Sequence, residues 1–206
     1  MTRKELKLKA KSQLQGNWGS AIFGVLIIFI IESCLNLLSG MVYSDSLWNL
    51  LITLITFIIY IPLCLGMATL FLKIARKEEV GYSDVFLGYK NIWKVIGVTI
   101  LSSIIIFLGY ICFVVPGIIL SYMYSQIYFV LADNPNIGIV ECLRQSRELM
   151  VNEKLNFFVL ELSFILWMLL VVFTFGIASI YVIPYYETVL ANFYIDIKHK
   201  KYLNSL

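Results

Sequence analysis

Apolar and basic positions separate along this chain into long blocks. All sixteen Lys and Arg residues fall in four short segments, Arg3 to Lys11, Lys73 to Lys94, Arg144 to Lys154 and Lys198 to Lys201. Between them lie Gly19–Leu38, Ser46–Leu72, Val95–Ala132 and Leu155–Ile195, which contain none. A helix rises about 1.5 Å per residue and the hydrocarbon core is about 30 Å thick, so one crossing takes roughly 20 residues. The first two stretches therefore predict one span each, the second long enough to tilt. Val95–Ala132 would be about 57 Å long as a single helix. Gly109, Pro116 and Gly117 offer a break, which divides it near Tyr110–Val114. Leu155–Ile195 divides in the same way around Thr174–Ala178, with Gly176 at the turn. The pattern thus predicts six spans, at about 18–38, 47–72, 92–109, 115–132, 155–174 and 178–197. A pair of re-entrant half-helices would also return the chain to the same side, and charge alone does not separate the two for the long stretches. Length favours full spans.

Cationic segments stay on the cytoplasmic side, so both termini are expected there, with only short external loops. Three of these segments also carry helical periodicity. Thr2-x-x-Glu5 reads as a capping box for a helix over 2–15, with Leu6, Ala10 and Leu14 along one face. Ser83 is a candidate cap for a helix over about 83–90 bearing Val85, Phe86 and Tyr89. Asn134-Pro135 reads as an N-cap and first-turn pair for a helix over 135–151, with Ile139, Leu143 and Met150 on one side. Each is expected to lie on the inner membrane surface, although a solvated amphipathic linker fits the same pattern. Each leads to an aromatic at the membrane boundary, Trp18, Trp93 and Phe157. The return span of each pair carries a proline, Pro62, Pro116 and Pro184, which predicts a loose threefold repeat. A proline inside a membrane helix frees a carbonyl and can kink the chain around a cavity. The fold class is therefore all-α: a polytopic helical membrane protein of one domain over 1–206, with six transmembrane helices as three hairpins and short amphipathic cytoplasmic surface helices.

Composition agrees with a membrane domain and removes several functions. At 60% hydrophobic over 206 residues the chain has too few polar groups to cover a soluble surface. A net charge of +3 would suit nucleic acid, but the basic residues flank apolar spans, so the lipid bilayer is the expected partner and nucleic acid is not. The first apolar run lacks an A-x-A cleavage site, so it is expected to stay as a span. Cys34, Cys64, Cys112 and Cys142 stand singly with no CxxC, which argues against a disulfide framework, a zinc site or any other cofactor. There is no HExxH, G-x-S-x-G, P-loop or dinucleotide motif, and the single histidine, His199, lies in the basic tail. No enzyme is expected.

Candidate chemistry then rests on charge inside the bilayer, which is costly and tends to mark function. Three carboxylates qualify, Glu32, Glu161 and Glu187, and no Lys, Arg or His shares a span with them. Counting from Trp18 puts Glu32 about 21 Å in, near the outer headgroups, whereas Glu161 and Glu187 lie about 10 and 15 Å deep. Ser121, Tyr124, Ser125 and Tyr128 recur at helical spacing in the fourth span, and Tyr181, Tyr185, Thr188 and Asn192 in the sixth. At about 100° per residue the second set forms one stripe, with Glu187 about 120° away from it. Two such stripes would meet as a hydrogen-bonded seam or line a small polar cleft. The candidate intramembrane polar site is Glu161, Glu187, Tyr124, Tyr128, Tyr185 and Asn192.

Particular motifs carry a resemblance. Pro116-Gly117-Ile118-Ile119, Leu131-Ala132-Asp133-Asn134-Pro135, Ser146-Arg147 with Leu149-Met150, Ser163-Phe164, Trp167, Gly176-Ile177, Pro184-Tyr185 and Phe193-Tyr194 resemble a bacterial family of integral membrane proteins catalogued as domain of unknown function 975. The Arg3–Lys11 helix leading to Gly16-Asn17-Trp18 is similar too, so the likeness covers most of the chain. Leu166 and Asn152 depart from it, standing where glycines are expected. The resemblance implies a multi-pass architecture in a bacterial plasma membrane and supplies no site residues. A more distant likeness links the chain to the membrane region of some bacterial glycerophosphodiester phosphodiesterases, whose soluble catalytic domain it lacks. Two functions follow as expectations. The first is a non-enzymatic scaffold, assembly or modulator protein that engages a membrane or cytoplasmic protein partner through the Ile139–Met150 face. The second is a small transporter or efflux component with an intramembrane Glu as coupling acid.

Overall fold

The computed structural model describes residues 1–41 and 47–203, all of whose regular structure is helical. The short external loop expected between the first two spans falls on residues 42–46, outside the described residues. In chain order the helices are α1 (Arg3–Leu14), α2 (Trp18–Met41) and α3 (Leu47–Arg76), then a 3₁₀ helix (Tyr82–Asn91). After it come α4 (Ile92–Cys112), α5 (Val114–Met123), α6 (Ile127–Asp133), α7 (Ile139–Leu149), α8 (Lys154–Leu162), α9 (Ile165–Phe173) and α10 (Ser179–Leu203). Five stretches are long and apolar enough to cross a membrane: Trp18–Leu37, Leu50–Arg76, Tyr82–Cys112, Val114–Asp133 and Lys154–Phe173.

Several elements form as the sequence predicts. Thr2 caps α1 through the expected box, its hydroxyl accepting from the Glu5 amide while Glu5 accepts from the Thr2 amide. Chain reversals fall at Phe113, the single extended residue between α4 and α5, and at 174–178, where Gly176 adopts φ +88°.

Others differ, each for an identifiable reason. The segment expected as a surface helix over 83–90 winds as a 3₁₀ helix docked along α3. Gly66 and Gly88 permit that approach: a Cβ on Gly66 would lie 1.7 Å from the Val85 carbonyl oxygen, and one on Gly88 1.9 Å from that of Pro62. Val85 is fully buried there, and Lys73 Nζ holds Asp84 at 2.8 Å. The helix expected over 135–151 begins only at Ile139, with Gly138 as its N-cap. Asn134 and Pro135 belong to a turn, where the Pro135 carbonyl accepts from Lys94 Nζ at 2.7 Å. The fourth and fifth expected spans, 115–132 and 155–174, are each interrupted midway, at 124–126 and at 163–164. Pro116 sits in the first turn of α5, where a missing amide costs no helical hydrogen bond, so it does not kink its helix as Pro62 and Pro184 are placed to do.

These interruptions are met by side chains from the short amphipathic elements. Lys7 of α1 donates to the Ser163 carbonyl between α8 and α9 at 3.0 Å. Ser146 of α7 donates to the Met123 carbonyl at the end of α5 at 2.9 Å. The Tyr89 hydroxyl donates to the Ile59 carbonyl, three residues before Pro62, at 2.8 Å. Gln13 of α1 reaches the Ala75 carbonyl near the end of α3 at 2.6 Å. A carbonyl left without a donor in apolar surroundings costs several kcal/mol, so these contacts let broken helices persist.

α10 lies at the centre, packed against α1, α2 and α3. It is too polar to count among the five apolar stretches because its neighbours are protein: Thr188, Val189, Ala191 and Asn192 are fully buried. Buried side chains concentrate toward the charged segments, in Ile61–Ala75 of α3, Ile127–Leu131 and Val182–Ile197. The opposite halves, including Leu50–Ile58, Phe107–Val115 and Ile165–Phe175, expose large apolar side chains. At the charged end Asp133 accepts from Arg76 of α3, Lys198 of α10 and the Tyr194 hydroxyl, tying three helices together.

Candidate functional site

Three helices build one cavity with the same register. α2 contributes Val25, Ile28, Phe29 and Glu32, and α10 contributes Ile183, Tyr186, Glu187 and Leu190, both at i, i+3, i+4 and i+7. α3 adds Tyr60, Cys64, Met67 and Ala68, which also fall on one face. Ser125, Tyr128 and Phe129 enter from the break between α5 and α6, and Met168 enters from α9. Its volume is about 530 Å³, and it is partly open to the surroundings.

Its polar groups are two carboxylates, three phenols, a thiol and a hydroxyl. No Lys, Arg or His lines it. The Tyr128 hydroxyl lies 3.1 Å from Thr99 Oγ1 on α4. Tyr186 links the lining to Glu161, its hydroxyl donating to Glu161 Oε1 at 3.4 Å, while Glu161 itself is not part of the lining. The interruption at 124–126 turns Ser125 toward the cavity. Gln126, fully buried, donates to the Ser125 hydroxyl at 3.0 Å. Among the described residues no cluster of three or more His, Cys, Asp or Glu is arranged to hold a metal ion.

Of the six residues singled out from sequence, Glu187 and Tyr128 line the cavity and Glu161 is joined to it through Tyr186. The other three lie elsewhere. Tyr185 belongs to an aromatic cluster, with ring centroids 5.6 Å from Phe164 and 6.0 Å from Trp167. Asn192 faces α1, donating to Gln13 Oε1 at 2.6 Å and to the Thr188 carbonyl at 2.9 Å. Tyr124 stands at the α5 C-cap, outside the cavity lining. The Tyr181–Asn192 stripe of α10 therefore turns toward α1 and α9 instead of α5 and α6. Glu187, on a different face of the same helix, points the other way. Glu32, which the sequence reading left outside the candidate site, shares the cavity with Glu187. Ranking by charge passed over Tyr60, Cys64 and Tyr186. Their signal was the i,i+4 spacing of Tyr60 and Cys64 and the adjacency of Tyr186 to Glu187.

The chain matches the family described as "Protein of unknown function (DUF975)" over residues 1–120 and 111–201, and it belongs to that family. No curated protein and no solved structure matches it.

Proposed function

We propose that this member of the DUF975 family is a six-span, non-enzymatic protein of the bacterial plasma membrane that takes a small lipophilic cation into the cavity between α2, α3 and α10. The observation that carries this reading is the pairing of Glu32 and Glu187 in one cavity that no basic side chain lines. A carboxylate at membrane depth is costly without a counter-charge, so a cationic ligand supplies what the protein withholds. The rings of Tyr60, Tyr128 and Phe29 belong to the same lining, and aromatic faces attract such cations. A volume of about 530 Å³ is within the range of small-molecule sites.

The six-span topology is supported by the five apolar stretches together with α10, whose polarity is covered by its neighbours. The sorting of basic residues supports cytoplasmic termini. The order of short amphipathic element, apolar helix and return helix recurs three times, which supports three hairpins.

A scaffold that docks through the Ile139–Met150 face would need Leu143 and Met150 turned outward. Leu143 and Met150 are instead buried in the protein's own core, and α7 turns Arg144 and Arg147 outward. Transport or binding of a solute is therefore the better-supported reading.

The test uses protein reconstituted in liposomes and tetraphenylphosphonium as the probe cation. Saturable uptake is expected, abolished by Glu187→Gln and weakened by Glu32→Gln while both variants remain folded. Unchanged uptake in both variants would sink the reading, and binding without flux would restrict it to a binding protein.

A further inference from the structure

A groove on the outer side of α1 collects positive charge that the protein does not neutralise. Arg3, Lys4, Lys7 and Lys11 line it together with Ser163 and Tyr185, and no Asp or Glu does. None of these four cations enters an ion pair among the described residues, whereas Lys73, Arg76, Lys198, Lys200 and Lys201 each pair with a carboxylate. Lys7 lies deepest, its Nζ 3.0 Å from the Ser163 carbonyl and 4.3 Å above the Phe164 ring centroid. An ammonium has three protons, and that carbonyl takes one. Burial, with Arg3 nearby, holds the Lys7 ammonium below the ordinary lysine range, as expected where a counter-anion is missing.

The surroundings indicate which anion fits. Leu162, Ile165 and Leu166, which flank Ser163, are 50%, 52% and 75% exposed, and Leu8 beside the lysines is 59% exposed. A cationic groove thus borders an exposed apolar strip. An anionic phospholipid has the matching layout, with a phosphate for the lysines and acyl chains for the strip. We propose that this groove is a binding site for the headgroup of an anionic phospholipid. Because α1 lies across α10 and reaches α3 through Gln13, a bound lipid would hold that strap in place.

The test compares purified protein in mixed micelles containing phosphatidylglycerol, phosphatidylcholine, or phosphatidylcholine with added inorganic phosphate, reading the melting temperature. Phosphatidylglycerol alone should raise it. The double variant Lys4→Gln/Lys11→Gln removes two charges that make no internal hydrogen bond in the structure, so its folding is not at issue. It should weaken the apparent affinity on the order of thirtyfold. The double variant Lys77→Gln/Lys90→Gln, which removes two cations elsewhere, should leave the affinity unchanged. Equal weakening in both double variants would overturn the site in favour of general surface attraction. A full effect from inorganic phosphate would overturn the lipid as ligand, and no response to phosphatidylglycerol would overturn the proposal outright.

Discussion

Replacing Gly66 with alanine sets two effects of opposite sign against each other. Gly66 lies within α3, where alanine is favoured over glycine by about 1 kcal/mol, so local propensity predicts a small gain. Its tertiary setting predicts the reverse. The new Cβ would stand 1.7 Å from the Val85 carbonyl oxygen and 2.5 Å from its carbon, and both atoms are backbone. Ordinary contact needs about 3.4 Å, so the 3₁₀ helix must retreat by well over 1 Å. That retreat uncovers Val85, whose burial contributes roughly 1.5–3 kcal/mol. It also stretches the Tyr89–Ile59 hydrogen bond, worth about 1 kcal/mol, and the Lys73–Asp84 ion pair, worth up to about 1 kcal/mol. After the propensity gain is subtracted, the net loss is about 2–4 kcal/mol. Gly97→Ala is the matched control: its Cβ would meet the movable Cδ1 of Ile139 at 2.6 Å, so a rotamer change relieves it and stability should hold or rise by up to about 1 kcal/mol. Reversible unfolding in mixed detergent micelles measures both variants. A Gly66→Ala protein as stable as the parent, or more stable, would refute the close docking of the 3₁₀ helix on α3.

Other predictions follow from the charged end and the thiols. Asp133→Asn leaves Arg76 and Lys198 without their shared anion and should cost about 2–3 kcal/mol, discounted because Lys198 is half exposed; unchanged unfolding would show that the three helices are not tied there. Lys201 beside Glu148 holds that carboxyl below the ordinary glutamate range. A depressed folded-state value means the contact stabilises at neutral pH and is lost as pH falls through that value. Lys201→Gln should therefore flatten the acid limb of the stability profile and leave its alkaline limb unchanged. Burial pushes the Cys142 thiol up to about 12, so it should resist maleimide at pH 7 in the folded protein and react after unfolding; rapid labelling of the folded protein would contradict its fully buried position.

The candidate site was partly legible. Glu187 and Tyr128 were found because an unpaired carboxylate in an apolar run is rare, and because Tyr128 recurs at helical spacing with other polar residues. Tyr185 and Asn192 were grouped with them by periodicity, which assigns residues to a face of a helix without saying which neighbour that face meets. The convergence of Glu32 on Glu187 was not legible, because counting residues from Trp18 measures depth along one helix and not its approach to another.

The helical class, the Thr2–Glu5 cap, the reversals at Phe113 and Gly176 and the apolar stretches were determined by sequence alone. Each depends on interactions within a few residues or on partition between water and hydrocarbon, which composition records directly. Tertiary structure decided that the 3₁₀ helix docks on α3 and that two apolar stretches break where Lys7 and Ser146 meet freed carbonyls. It also decided that the faces of α2, α3 and α10 bearing Glu32, Cys64 and Glu187 converge on one cavity. Those outcomes depend on contacts between residues from about 20 to more than 150 positions apart, and a backbone carbonyl leaves no mark in a hydrophobic pattern.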